Sequence, residues 1–183
     1  RIHRVTRLAF EYSPGRGDDR YTGDRSAFDV YVEYEGEHST RGFVGIEVKY
    51  HENLKDAPAT HRDRYDEVAQ AMGCFPAMAM ADLRCRPLQQ VWHDHLLAGS
   101  ILARGDLQDG FFVFLHPADN YHCTEAAARY RACLTSDDSF VAWTLEELVE
   151  SVRRIVAAPW ADAVWDRYLD FGKIDQALAS TAA

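Results

Sequence analysis

The stretch RGFVGIEVKY, residues 41–50, carries two opposite charges inside an otherwise apolar and β-branched run. This composition predicts a β-strand, and side chains two residues apart leave a strand on the same face. Glu47 and Lys49 are therefore expected to share one face of a sheet. An exposed strand often carries such a pair for solubility alone, but the apolar, glycine-containing surroundings here predict a buried strand.

Two further strands are predicted ahead of this stretch, at residues 4–12 and 26–35. The second alternates, which predicts a half-buried strand with two distinct faces. One face holds Phe28, Val30, Val32 and Tyr34, and the other holds Asp29, Tyr31 and Glu33. Residues 36–40 have the length of a hairpin connection. Asp29 and Glu47 are thus expected on neighbouring strands, close enough for their carboxylates to meet.

The hydrophobic period changes to that of helices after residue 60. Helices are predicted at 60–73, 86–105, 123–134, 144–156 and 160–178, with strands at 110–117 and 140–144. Pro87 suits a first helical turn, Thr124 an N-cap, and Thr144 with Glu147 a capping box. A meander followed by a crossover through a long helix predicts an α/β fold, with a mixed central sheet flanked by helices.

The composition narrows the class of protein. The chain has 183 residues, 47% of them hydrophobic, which suits one globular domain over residues 1–183. No apolar run reaches the length of a membrane span and no signal-peptide pattern begins the sequence, so a cytoplasmic protein is expected.

The four cysteines, Cys74, Cys85, Cys123 and Cys133, include no CxxC pair. Reduced thiols are therefore expected. A zinc site using nearby histidines is disfavoured, because zinc ligands usually come in close pairs.

The formal net charge of −9 disfavours a generally nucleic-acid-binding surface. A local basic patch is still compatible with it, and the glycine-rich loop at residues 13–25 is the candidate. Its arginines Arg16, Arg20 and Arg25, together with glycine amides, can hold phosphate groups. An ordinary surface loop explains the same composition equally well.

Paired carboxylates next to a lysine have a chemical rationale. Two carboxylates within a few ångströms repel each other and need a cation between them. Mg²⁺ suits such oxygen ligands, with Mn²⁺ as an alternative. An ammonium beside the metal can orient a water molecule or stabilise charge that develops on a phosphate. Together these groups predict phosphodiester hydrolysis.

Asp29, followed 18 residues later by Glu47-Val48-Lys49 in a hairpin-then-helix setting, resembles the PD-(D/E)XK nuclease superfamily. Restriction endonucleases are its best-known members, and the sequence is similar to a restriction-endonuclease-like branch of bacterial proteins. The resemblance covers a core at about residues 4–117 and leaves a C-terminal helical part, at about 124–183, outside it. It implies that Asp29, Glu47 and the Val48 carbonyl hold the metal, with Lys49 as the motif lysine.

Phe28 stands where the motif has a proline. Many members also carry an acidic residue on a helix before the first core strand, and that helix is expected to be missing ahead of Val5. Gln90 and His95 lie on the predicted long helix, which the family packs near the site. Either can support the metal site, or can be an ordinary helix-surface amide and a half-buried histidine.

Three functions remain open from the sequence. The first is a metal-dependent DNA endonuclease of restriction or defence type, as a homo-oligomer or within a larger multidomain protein. The second is a catalytically silent module that binds nucleic acid or a protein partner. The third is an RNA-directed nuclease. Intact Asp29, Glu47 and Lys49 argue against the second, because a decayed site usually loses one of these residues.

Overall fold

The computed structural model describes residues 2–57 and 59–173. The strands are β1 (Ile2–Tyr12), β2 (Phe28–Gly36), β3 (Arg41–Val48), β4 (Asp109–His116) and β5 (Phe140–Thr144). The helices are α1 (Asp63–Met72), α2 (Met80–Leu83), α3 (Gln89–Ala103), α4 (Tyr121–Ala132), α5 (Leu145–Ile155) and α6 (Pro159–Tyr168). The last residues of the helix predicted at 160–178 lie outside the described residues.

The five strands form one sheet in the order β1-β2-β3-β4-β5. β1, β2 and β3 pair antiparallel as a meander, whereas β3, β4 and β5 pair parallel. The parallel pairs require crossovers, which α1 to α3 supply between β3 and β4, and α4 supplies between β4 and β5. The prediction of a mixed sheet flanked by helices is confirmed. The strand order places β3 at the centre of the sheet.

The main core lies between one face of the sheet and helices α1, α3 and α4. Helix α3 is buried almost all round, from Val91 to Ile101, because it packs against both the sheet and α1. A second, smaller apolar cluster joins α5 to α6 through Val149, Ala161 and Leu169. None of the helices among the described residues is long and apolar enough to cross a membrane.

The buried side chains of β2 do not follow the predicted alternation. Phe28 and Tyr31 both join the core, whereas Val30 and Val32 are only half-buried. The reason is a notch at Gly45 on β3, which lets the Phe28 ring lie on the core side of the sheet. Tyr31 then packs against Phe43, with the ring centroids 5.5 Å apart.

Helix ends follow the predicted chemistry in one case and depart from it in two. The capping box of α5 is confirmed: Glu147 N donates to Thr144 Oγ1 at 3.1 Å, and Thr144 N donates to Glu147 Oε2 at 2.9 Å. Helix α4 is capped by Asn120 instead of Thr124, because the Asn120 side chain accepts a hydrogen bond from Cys123 N. Helix α3 begins at Gln89, so Pro87 precedes it.

Candidate active site

Glu47 and Lys49 form a buried ion pair at the end of the central strand. Lys49 Nζ lies 2.6 Å from Glu47 Oε1, and their side chains are 12% and 8% exposed, respectively. Glu47 pairs with Phe114 on β4, whose ring belongs to the core, and the Lys49 amide donates to the Leu115 carbonyl. The pair is therefore built into the sheet, unlike a solvated pair on an edge strand.

Asp29 approaches the same site from β2. Val30 lies opposite Ile46 in the antiparallel register, and one further step of that register places Asp29 beside Glu47. Directly opposed residues have Cβ atoms about 4.5–5.5 Å apart. The Val48 amide donates to Asp29 Oδ2 at 2.7 Å, which fixes this carboxylate against the Glu47-Val48-Lys49 segment.

The electrostatics of the pair reflect burial and crowding of negative charge. Burial raises the pKa of Glu47; Lys49 opposes this shift, and the charges of Asp29 and Glu11 add to it. Burial alone would lower the pKa of Lys49, but the hydrogen bond and charge of Glu47 outweigh it and raise that pKa. While it is paired with Glu47, Lys49 is therefore a protonated ammonium near neutral pH. It can donate hydrogen bonds but cannot act as a base.

Helix α3 presents two polar side chains towards this site. Gln90 Nε2 donates to Glu47 Oε1 at 3.2 Å, so the structure places this amide against the acidic residue. Asp94 follows one turn later on the same side of the helix. Burial raises the pKa of the Asp94 carboxyl well above its usual range, and the charge of Glu47 adds to this shift.

Sequence reasoning did not single out Asp94. The available signal was a carboxylate four residues after Gln90, inside a stretch of α3 that is otherwise apolar or aromatic on most sides. Such a position can equally belong to a polar helix face. Only the burial of the whole helix shows that Asp94 is enclosed, at 6% exposure.

The other supporting candidate, His95, lies elsewhere in the core. Its ring nitrogens contact Tyr130 Oη and Ser139 Oγ, each at 2.9 Å, and the residue is fully buried. Burial lowers the pKa of His95 to about 4, so the ring is neutral. The structure does not bring it to Glu47, and these contacts describe a histidine whose hydrogen bonds are made within the core.

The three candidate arginines all lie on the exposed loop between β1 and β2. All three are exposed, but Arg20 is paired with Asp18 at 2.6 Å, which offsets its charge. The loop itself is held in place by α1, because Arg62 and Arg64 donate to the backbone carbonyls of Gly23 and Tyr21. A phosphate contact through this loop therefore falls first to Arg16 and Arg25.

The donor set at the site suits a hard divalent cation. Asp29 and Glu47 supply carboxylate oxygens from adjacent strands, and the Val48 carbonyl lies between Glu47 and Lys49 in the chain. Among residues 2–57 and 59–173, no group of three or more His, Cys, Asp or Glu side chains is arranged to hold a metal ion. Protein ligands at a magnesium site are often only one or two carboxylates, with water completing the shell.

A family model described as the PD-(D/E)XK nuclease superfamily matches residues 1–170. Neither the comparison with curated proteins nor the comparison with solved structures finds a match. The matched region includes all five strands, so it extends past the core at residues 4–117 that the sequence resemblance covered. The mixed sheet with flanking helices agrees with the restriction-endonuclease-like fold that the resemblance implied. The chain belongs to the PD-(D/E)XK nuclease superfamily.

Proposed function

We propose that the protein is a metal-dependent nuclease that hydrolyses phosphodiester bonds, with DNA as the preferred substrate and endonucleolytic cleavage of restriction or defence type. The observation that carries the proposal is the buried Glu47–Lys49 pair beside Asp29. A salt bridge with this burial gains little net stability from its own attraction, because desolvation opposes it. A functional role for the pair accounts better for its position than stability does.

Each residue has a distinct task in this proposal. Asp29 and Glu47, with the Val48 carbonyl, would hold Mg²⁺ or Mn²⁺, which would supply Lewis-acid stabilisation of charge on the phosphate. The Lys49 ammonium donates hydrogen bonds to a phosphate oxygen and stabilises the negative charge that develops there. Gln90 keeps the Glu47 carboxylate oriented through its contact with Oε1.

The substrate must reach this site against the overall charge of the protein. A net charge of −9 repels a polyanion, so binding relies on local cations such as Arg16 and Arg25. The proposed compartment is the cytoplasm, and the four cysteines are free thiols, as proteins of that compartment usually keep them.

A catalytically silent module is the second candidate, and the acidic composition favours it. An RNA-directed nuclease is the third. One experiment distinguishes the three candidates. Supercoiled plasmid and a structured RNA are each incubated with the protein, in the presence of either Mg²⁺ or a chelator. Mg²⁺-dependent conversion of the plasmid to nicked or linear forms supports the proposal. Cleavage of the RNA alone selects the third candidate, and binding without cleavage of either substrate selects the second.

The matched variant for this experiment is Asp29→Asn, which keeps the size of the side chain and removes its charge. Loss of plasmid cleavage with retained folding, judged by circular dichroism, ties the activity to the site. Cleavage by Asp29→Asn at the parent rate would mean that a contaminating nuclease, or a different site of this protein, cleaves the plasmid.

A further inference from the structure

Asp94 is a buried carboxyl group one helical turn after Gln90, which contacts Glu47, and the proposed hydrolysis gives it no role. The residue is 6% exposed. Its Oδ2 atom is enclosed and has no hydrogen-bond partner within the described part of the chain. A buried polar atom without a hydrogen-bond partner destabilises the fold. This oxygen is therefore ready to accept a hydrogen bond from any donor that moves towards it.

Lys49 is the donor best placed to make that move. Gln90 and Asp94 are one helical turn apart, and Gln90 already touches the oxygen of Glu47 to which Lys49 is bound. The charges that act on the Asp94 carboxyl include those of Glu47 and Lys49. An ammonium has three N–H donors on a flexible stem, so rotation of that stem can change its partner.

Cation binding creates the need for such a change. A divalent ion held by Asp29 and Glu47 competes with Lys49 for the Glu47 oxygens and repels the ammonium. We propose that Asp94 is a positioning residue that receives the Lys49 ammonium when Glu47 turns to the cation. The proposal rests on the proposed nuclease function, since it assumes that Asp29 and Glu47 bind a metal ion.

The charges of the site agree with this arrangement. In the absence of metal, the carboxyl groups of Asp29, Glu47 and Asp94 have one ammonium near them, that of Lys49, and burial favours the neutral form of the Asp94 carboxyl. A divalent cation together with Lys49 supplies three positive charges, which can balance these three carboxyl groups in their ionised form. Asp94 thereby lowers the cost of separating Lys49 from Glu47 and keeps the ammonium inside the site.

The test is a double-mutant cycle read by calorimetric titration with Mg²⁺, not by activity. Asp94→Asn has nearly the shape of the parent residue and cannot ionise. It should weaken Mg²⁺ binding about tenfold, because Lys49 then stays on Glu47 and competes with the ion. In a Lys49→Met background there is no ammonium to relocate, so the same substitution should change Mg²⁺ affinity less than twofold. Asp82→Asn, at an exposed position, is the matched control and should have no effect.

The two backgrounds separate the possible roles of Asp94. An equal loss of affinity with and without Lys49 would show that Asp94 acts directly on the ion, and would overturn the proposal. Unchanged affinity in both backgrounds would also overturn it. If the parent protein binds no Mg²⁺, the proposed function fails first and this inference fails with it.

A second measurement uses the parent protein and does not depend on how the variants fold. The chain has three lysines, Lys49, Lys55 and Lys173, so ¹³C-labelled lysine gives a readily assigned NMR spectrum. Addition of Mg²⁺ should shift the Lys49 Cε resonance while that ammonium remains protected from solvent exchange. A Lys49 ammonium that becomes freely exchanging on Mg²⁺ addition has moved to solvent, and the proposal is then wrong.

Discussion

Gly45→Ala should destabilise the protein, because the aromatic ring that packs over this glycine has nowhere to move. A Cβ atom at position 45 would lie 2.6–2.8 Å from three ring atoms of Phe28, closer than real Cβ contacts come. Phe28 is fully buried and contacts the rings of Tyr31, Phe43 and Phe112. The added methyl group therefore forces a shift within a close-packed core.

The magnitude follows from two opposing effects. Overpacking of this kind costs about 1–3 kcal/mol, and the clash with three ring atoms places Gly45→Ala in the upper half of that range. The lower conformational entropy of alanine in the unfolded chain returns up to about 1 kcal/mol. The net loss is about 2 kcal/mol, which lowers the melting temperature by about 4–8 °C for a chain of this length.

Urea unfolding followed by circular dichroism measures this change. Gly172→Ala is the matched control, because the atom nearest to its new Cβ is 3.4 Å away, and its stability should stay within about 0.5 kcal/mol of the parent. Phe28→Leu combined with Gly45→Ala should cost less than the sum of the single variants, since a smaller side chain makes room. A Gly45→Ala protein as stable as the parent would refute the packing of Phe28 over β3.

Three further predictions concern charge and capping. Calorimetric titration with Mg²⁺ should show weaker binding in Glu47→Gln, because this variant loses a ligand. Binding should be equal or tighter in Lys49→Met, because this variant loses a charge that repels the ion. The reverse order of affinities would contradict the assigned roles. The pKa of His95 is lowered to about 4, so the unfolded chain binds a proton that the fold does not, and stability should fall by about 3 kcal/mol as pH drops from 6.5 to 4. Urea unfolding of the parent and His95→Gln should differ in pH dependence within that window, and parallel curves would argue against the neutral buried ring. Thr144→Ala should cost about 1 kcal/mol in the same assay through loss of the capping box, and an unchanged midpoint would mean that the box contributes nothing.

The central strand and the order of the other elements could be predicted from the sequence because the signals for them are local. A short apolar run, a hairpin-length connection and a capping box each depend on residues a few positions apart. These signals predicted the order of strands and helices, and the neighbouring placement of Asp29 and Glu47. Val30 pairs with Ile46, one step from Asp29 and Glu47, and Val48 N donates to Asp29 Oδ2, in agreement with that prediction.

The remaining features depend on contacts between distant segments. The core position of Phe28 follows from the notch at Gly45, which the alternation of β2 by itself cannot reveal. The cap of α4 depends on Asn120, whose amide also donates to backbone carbonyls after β3, including that of Glu52. Asp94 was not identified because periodicity does not show that α3 is covered on nearly all sides.

The central claim is that Glu47 and Lys49 serve hydrolysis and not stability, and the single-turnover rate of plasmid cleavage at saturating Mg²⁺ tests it most directly. The comparison is between the parent protein, Lys49→Met and the control Lys55→Met, whose lysine is exposed. Loss of the ammonium should lower the rate by about 100-fold or more while Lys55→Met cleaves like the parent. Cleavage by Lys49→Met at the parent rate would show that the ammonium is only a salt-bridge partner of Glu47.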